Sequence, residues 1–199
     1  MNEKTELAIG ILCFGAGCIA AATSGVIGAL LAGLAGCLLG GGLGFLLFSA
    51  IEGSGHVTEG TKKALFVLLA IPVLVMVLFI HLGAALPVSL FVSGILTEGI
   101  LLSNGLLCGY LSADRKMLEM AQVFRMPGEN VLRYLVLPSA KNALERRIPL
   151  GFLVSFALGL AGCAGVFSMT LCVSLLLAAF GAGLLAAFFV SHLFGKALS

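Results

Sequence analysis

Charge is what this chain has least of. Asp, Glu, Lys and Arg make up 10% of its 199 residues, against about 25% in a typical soluble domain. With 60% hydrophobic residues and a mean hydropathy of +1.18, it carries more apolar surface than a water-soluble core can hide, so lipid is the expected solvent. Paired metal-ligand spacings are missing too. The six cysteines (Cys13, Cys18, Cys37, Cys108, Cys163 and Cys172) form no C-x-x-C unit, and no histidine lies near them at zinc spacing. They read as small apolar packing residues, and His56, His81 and His192 are assigned no metal. There is no G-x-x-x-x-G-K-[ST], so a nucleotide site, if one exists, belongs to a partner chain. The chain itself is expected to hold no cofactor and no catalytic residue. Its first residues, Met1 to Glu6, hold as much acid as base and lack the basic start and small-residue cleavage site of a secretory signal. The first apolar stretch therefore reads as a retained span. No long-period repeat, low-complexity linker or second domain interrupts residues 1–199.

What is present is a set of apolar stretches long enough to cross a bilayer, whose core of about 30 Å needs about 20 helical residues. Six are predicted, at residues 7–22, 26–51, 64–82, 88–111, 150–167 and 171–193. Pro72 is expected to kink the third. Five crossings result if the first two stretches are one crossing plus a re-entrant segment. All eleven Lys and Arg fall at Lys4, Lys62, Lys63, in a cluster from Arg115 to Arg147, and at Lys196, whereas the alternate turns hold no charge. Basic loops stay cytoplasmic. Both termini and a loop over residues 112–149 are therefore predicted to face the cytoplasm, in a bacterial inner membrane.

Two features inside the spans stand out. Gly36, Gly40 and Gly44 form overlapping G-x-x-x-G units, and Ala157, Ala161 and Gly165 repeat the spacing. Small residues let helix backbones approach closely in lipid, either within the chain or between subunits. Glu98 is the one charge well inside a predicted span, where insertion scales put its cost on the order of 3 kcal/mol. With Thr97, Ser103 and Asn104 it forms a candidate pore-lining patch. The competing reading is a structural Glu satisfied inside the bundle.

The basic loop carries most of the information. Residues 114–147 hold seven basic and four acidic residues, and their interspersion with apolar positions points to a protein partner rather than nucleic acid. Met117, Met120, Ala121 and Phe124 share one helical face. Ser112 or Asp114 can cap that helix. Pro127 and Gly128 are expected to break it. A second short helix is predicted over residues 129–136, with Pro138 ending it. The result is a helical hairpin on the inner face, tied to the fourth and fifth spans.

Residues 119–138 resemble the EAA loop of ABC importer permeases, most closely the nitrate/sulfonate/taurine type. Glu119 and Ala121 match the first and third positions of E-A-A. Leu135-Val136-Leu137-Pro138 falls, without a gap, at the distance of the family's I-x-L-P. Arg125 stands at the family's Gly position, and Met120 at its middle Ala. Gly128 is the residue expected to take over the turn from Arg125. Residues 167–170 are shorter than the family's external segment between the last two spans.

The resemblance implies an all-helical permease of type I ABC importer architecture. Two such subunits, identical or related, would form the pore. A cytoplasmic ATPase dimer would bind ATP and Mg, and an extracytoplasmic solute-binding protein would deliver cargo. It assigns the ATPase contact to Glu119, Ala121, Phe124, Arg125 and Met126, with Leu137 and Pro138 setting the exit angle. The alternatives are a secondary transporter or channel with Glu98 as ion or proton site, and a non-transporting scaffold that recruits an enzyme.

Overall fold

Glycine sets how closely the helices of this chain approach one another. The computed structural model describes residues 3–55, 57–126, 128–163 and 168–196. In it, α1 (Glu3–Thr23) is followed by α2 (Ile27–Gly53), α3 (Glu59–Val67), α4 (Ala70–Leu82) and α5 (Leu86–Ser112). The glycine stripe of α2 lies on α5. A Cβ on Gly40 would stand 2.7 Å from the Gly94 and Ile95 carbonyl oxygens, and one on Gly94 the same distance from the Cys37 amide nitrogen. The stripe therefore serves packing within the chain. Gly36 meets Phe91, Gly40 meets Gly94 and Ile95, and Gly44 meets Gly99 and Leu102. Partner numbers rise together, so α2 and α5 run parallel.

After α5 come α6 (Arg115–Val123), α7 (Gly128–Val131), a π turn (Leu132–Val136), α8 (Leu137–Ala161) and α9 (Met169–Lys196). Along α8 the partner numbers fall: Gly109 of α5 meets Ala140, Gly105 meets Leu144, Glu98 meets Gly151, and Leu90 and Ser93 meet Gly159. This pair is antiparallel. So are α1 and α9, through Gly10 with Leu184, Phe14 with Gly181, and Gly17 with Ala178. Gly183 backs onto Pro149 and Phe152, joining α9 to α8. Along their lengths α2 packs on α5, α5 on α8, α8 on α9 and α9 on α1; α2 also touches α8, α9 and α1, and α3 and α4 lie against α5. Among the described residues no strand occurs.

Five segments are long and apolar enough to cross a membrane: Thr5–Thr23, Ile27–Gly53, Glu59–Leu82, Leu86–Ser112 and Met169–His192. Their outward side chains, among them Leu12, Leu38, Leu46, Phe66, Leu74 and Leu82, are exposed as a lipid-facing surface requires. The Glu145, Arg146 and Arg147 charges make α8 less apolar than the others. It nevertheless lies along α5 from Ala140 to Gly159. At 1.5 Å per residue that is about 30 Å, with Lys141, Glu145, Arg146 and Arg147 at its basic end.

Three expectations need correction. The predicted fifth stretch falls in α8, which starts at Leu137 rather than residue 150 and, where described, ends at Ala161; Phe167 lies outside the described residues. Much of the predicted loop is therefore the basic end of a long helix. Pro138 does not end a helix: it is the second residue of α8, which continues directly from the π turn Leu132–Val136. The preceding π turn widens the backbone ahead of the ring. Finally, Ala157 and Ala161 face outward, so of the two readings of their spacing the one within the chain does not hold for them, and Gly165 lies outside the described residues.

The kink expected at Pro72 is a break between α3 and α4 at Leu68 and Leu69. Leu68 is the i−4 residue whose carbonyl the proline ring would clash with. The chain passes the spot with three-residue hydrogen bonds, Leu69 N–H to Phe66 O (3.2 Å) and Ile71 N–H to Leu68 O (2.9 Å).

Candidate functional site

Two of the regions singled out in the sequence bring polar or chemically exposed groups together: the α6 hairpin and the middle of the α5–α8 interface. In the hairpin, Asp114 is the cap. Its Oδ1 accepts from the Lys116 amide at 3.0 Å, and its carbonyl accepts from Leu118 N–H at 3.1 Å. Ser112 instead donates back to the Cys108 carbonyl at 2.7 Å. At the far end the Met126 amide donates to the Ala121 carbonyl at 2.9 Å, and Arg125 takes φ 49°. This is a Schellman stop, a motif that favours glycine at its left-handed position. The turn therefore stays at Arg125, where the EAA pattern has its Gly, and is not displaced to Gly128, which begins α7. Pro127 lies outside the described residues.

The apolar face of α6 is free. Met120 is 58% exposed, Val123 79% and Phe124 76%, and Met117 and Met126 are exposed beside them. Glu119 and Arg125 are exposed as well. Ala121 is the exception among the predicted contact residues: at 4% exposure it packs inward. Val136 and Leu137 are buried and Pro138 is half-buried, so the return limb is anchored in the bundle.

The polar patch of α5 divides in two. Thr97, Glu98, Ser103 and Asn104 are each at most 3% exposed. None lines an open surface of a single subunit. Asn104 belongs to a clamp at the basic end: its Nδ2 donates to the Lys62 carbonyl at 3.0 Å, and Arg147 donates to its Oδ1. Arg147 also donates to Cys108 Sγ at 3.2 Å. Ser103 bonds back to Ile100 of its own helix. Nearer the other end, Ser93 and Ser89 donate to the Ser155 and Gly159 carbonyls at 2.8 and 2.6 Å, stitching α5 to α8.

Thr97 and Glu98 stay together between these stitches. Thr97 Oγ1, Glu98 Oε2 and Ser155 Oγ are buried without a hydrogen-bond partner among the described residues. Glu98 lies at mid-helix, with Oε2 against Gly151, where any side chain would collide with it. A lone buried carboxylate is unfavourable, so this spot holds unspent polar capacity in the middle of the bundle. Sequence reasoning missed Ser155 and Arg147. Ser155 was visible as a hydroxyl in an apolar span, but its pairing with residues about sixty positions earlier was not. Among the described residues no group of three His, Cys, Asp or Glu stands together to hold a metal ion.

No protein-family profile, curated protein or solved structure matches this chain.

Proposed function

We propose that this chain is the membrane-spanning permease subunit of an ATP-driven ABC importer in a bacterial cytoplasmic membrane, its basic end and both termini facing inward. The observation that carries the reading is the free apolar face of α6. A helix capped at one end and stopped at the other presents Met120, Val123 and Phe124 to solvent beside the basic end of the bundle. Exposed aromatic and methionine side chains on a short rigid helix suit insertion into a partner's groove. The EAA-like spacing around Glu119, Ala121 and Pro138 favours an ATPase as that partner.

In this mechanism a second permease copy or a related chain completes the pore. ATP and Mg bind on the ATPase dimer, and a solute-binding protein delivers cargo outside. α6 is joined within a few residues to both α5 and the α7–α8 limb. Closure of the ATPase pair displaces α6, and α5 and α8 move with it because Ser89, Ser93 and the Asn104–Arg147 clamp bind them into one body. Glu119, Phe124, Arg125 and Met126 form the contact; Ala121, Leu137 and Pro138 hold the elbow that presents it.

Affinity purification from native membranes tests the proposal. A P-loop ATPase should accompany the wild-type chain. Met120→Asp and Phe124→Asp should insert normally but lose the ATPase and solute uptake by about tenfold or more, as when a buried anchor is removed from an interface. Normal recovery of the ATPase with both variants would refute the proposal. The unpartnered Glu98 keeps a gradient-driven transporter or channel as the second reading; it requires uptake that survives loss of the ATPase and fails in Glu98→Gln.

A further inference from the structure

Between α1, α8 and α9 the helices converge at one level and part above it. Gly10 touches Leu184, and Gly183 touches Pro149 and Phe152. Toward the basic end the three helices leave a cleft of about 490 Å³, within the range of about 300–1,000 Å³ typical of small-molecule sites. Its wall is apolar on the α9 side, where Leu184 and Phe188 face it, and Phe188 is braced by stacking on His192 with ring centroids 6.0 Å apart. Its polar side carries two cations and two carboxylates, Lys141, Arg146, Glu6 and Glu145. Lys141 and Glu145 stand 3.8 Å apart and partly satisfy each other. Glu6 and Arg146 have no ion-pair or hydrogen-bond partner among the described residues. What remains is one free carboxylate and one free guanidinium above an apolar wall.

We propose that this cleft binds a zwitterionic phospholipid with a primary ammonium, of the phosphatidylethanolamine class, from the leaflet at the basic face. Three observations select it. The depth is that of a headgroup, since Glu6 lies at the start of the span Thr5–Thr23 and Phe188 near the end of Met169–His192. The charges balance, so a zwitterion is matched where an anionic lipid would leave Glu6 opposed. Arg146 offers a planar fork to the phosphate, and Glu6 accepts N–H bonds that a quaternary ammonium has no hydrogen to make. The acyl chains continue along Leu184 and Phe188 into the bilayer.

The test is native mass spectrometry of the full chain released from nanodiscs made of phosphatidylcholine mixed with either phosphatidylethanolamine or phosphatidylglycerol. Wild type should retain phosphatidylethanolamine about tenfold over phosphatidylcholine, the size expected for a charge-assisted hydrogen bond. Glu6→Gln should abolish that preference, and Arg146→Gln should weaken retention of the tightly held lipid, with thermal unfolding unchanged. Free glycerophosphoethanolamine in excess should leave the lipid in place. Equal retention of the ethanolamine and choline lipids would overturn the assignment, as would a preference for phosphatidylglycerol or displacement by the free headgroup. The wild-type lipid preference decides the matter even where a variant fails to fold.

Discussion

Glu98 and Gly151 fit together because one has a carboxyl where the other has no side chain. Gly151→Ala is expected to destabilise the bundle by about 1–3 kcal/mol through overpacking. Combining it with Glu98→Ala should recover part of that loss, because the two changes share one space. Thermal unfolding of the four proteins in nanodiscs measures the coupling, and strictly additive losses would show that the two residues do not meet. Arg125 is the second special residue. Its left-handed backbone costs roughly 1 kcal/mol, so Arg125→Gly should raise stability by about that much while keeping the hairpin's direction. A fall in stability would mean that the guanidinium supplies a contact worth more than the strain. Glu98 was legible as a lone charge in an apolar run. Its neighbours were not, because Gly151 and Ser155 come from a helix more than fifty residues later and nothing in local periodicity names them.

At the scale of elements, the glycine stripe of α2 was readable as a close-packing face, but its partner was not, since G-x-x-x-G looks the same within a chain and between chains. Gly94 and Gly99 on α5 complete it. Gly40→Leu should therefore force α2 from α5 and lower the yield of folded protein sharply, without shifting any association between subunits. Analytical size-exclusion in detergent with a helicity measurement separates those outcomes, and a folded Gly40→Leu chain of reduced oligomer size would contradict the packing assignment. The amphipathic period of α6 and its Asp114 cap were also legible, because both are local. α8 was misread for equally physical reasons. Pro138 follows a π turn and does not end the helix, and charges at a helix end resemble a loop when only composition is weighed.

Across the whole molecule, the direction of each long helix follows from which residues meet, and these directions alternate in chain order. α1 and α2 are consecutive yet pack along different partners, α9 and α5, an arrangement that hydropathy does not encode. The central pair α5 and α8 is stitched at both ends, and this makes it suited to carry a displacement from α6 through the membrane. Asn104→Ala should open the stitch at the basic end. Binding of the ATPase should persist, while uptake falls by about tenfold and ATP hydrolysis continues uncoupled from transport. Loss of hydrolysis in step with uptake would argue against a transmission role for the clamp.

The central claim is that α6 docks on a nucleotide-hydrolysing partner. A photoreactive amino acid placed at Phe124 in cells of the source organism, followed by irradiation and mass spectrometry of the adducts, tests it most directly. The account predicts a covalent adduct with a P-loop ATPase whose yield changes when ATP is trapped on that partner. Adducts with lipid alone, or with proteins that carry no P-loop, would contradict it.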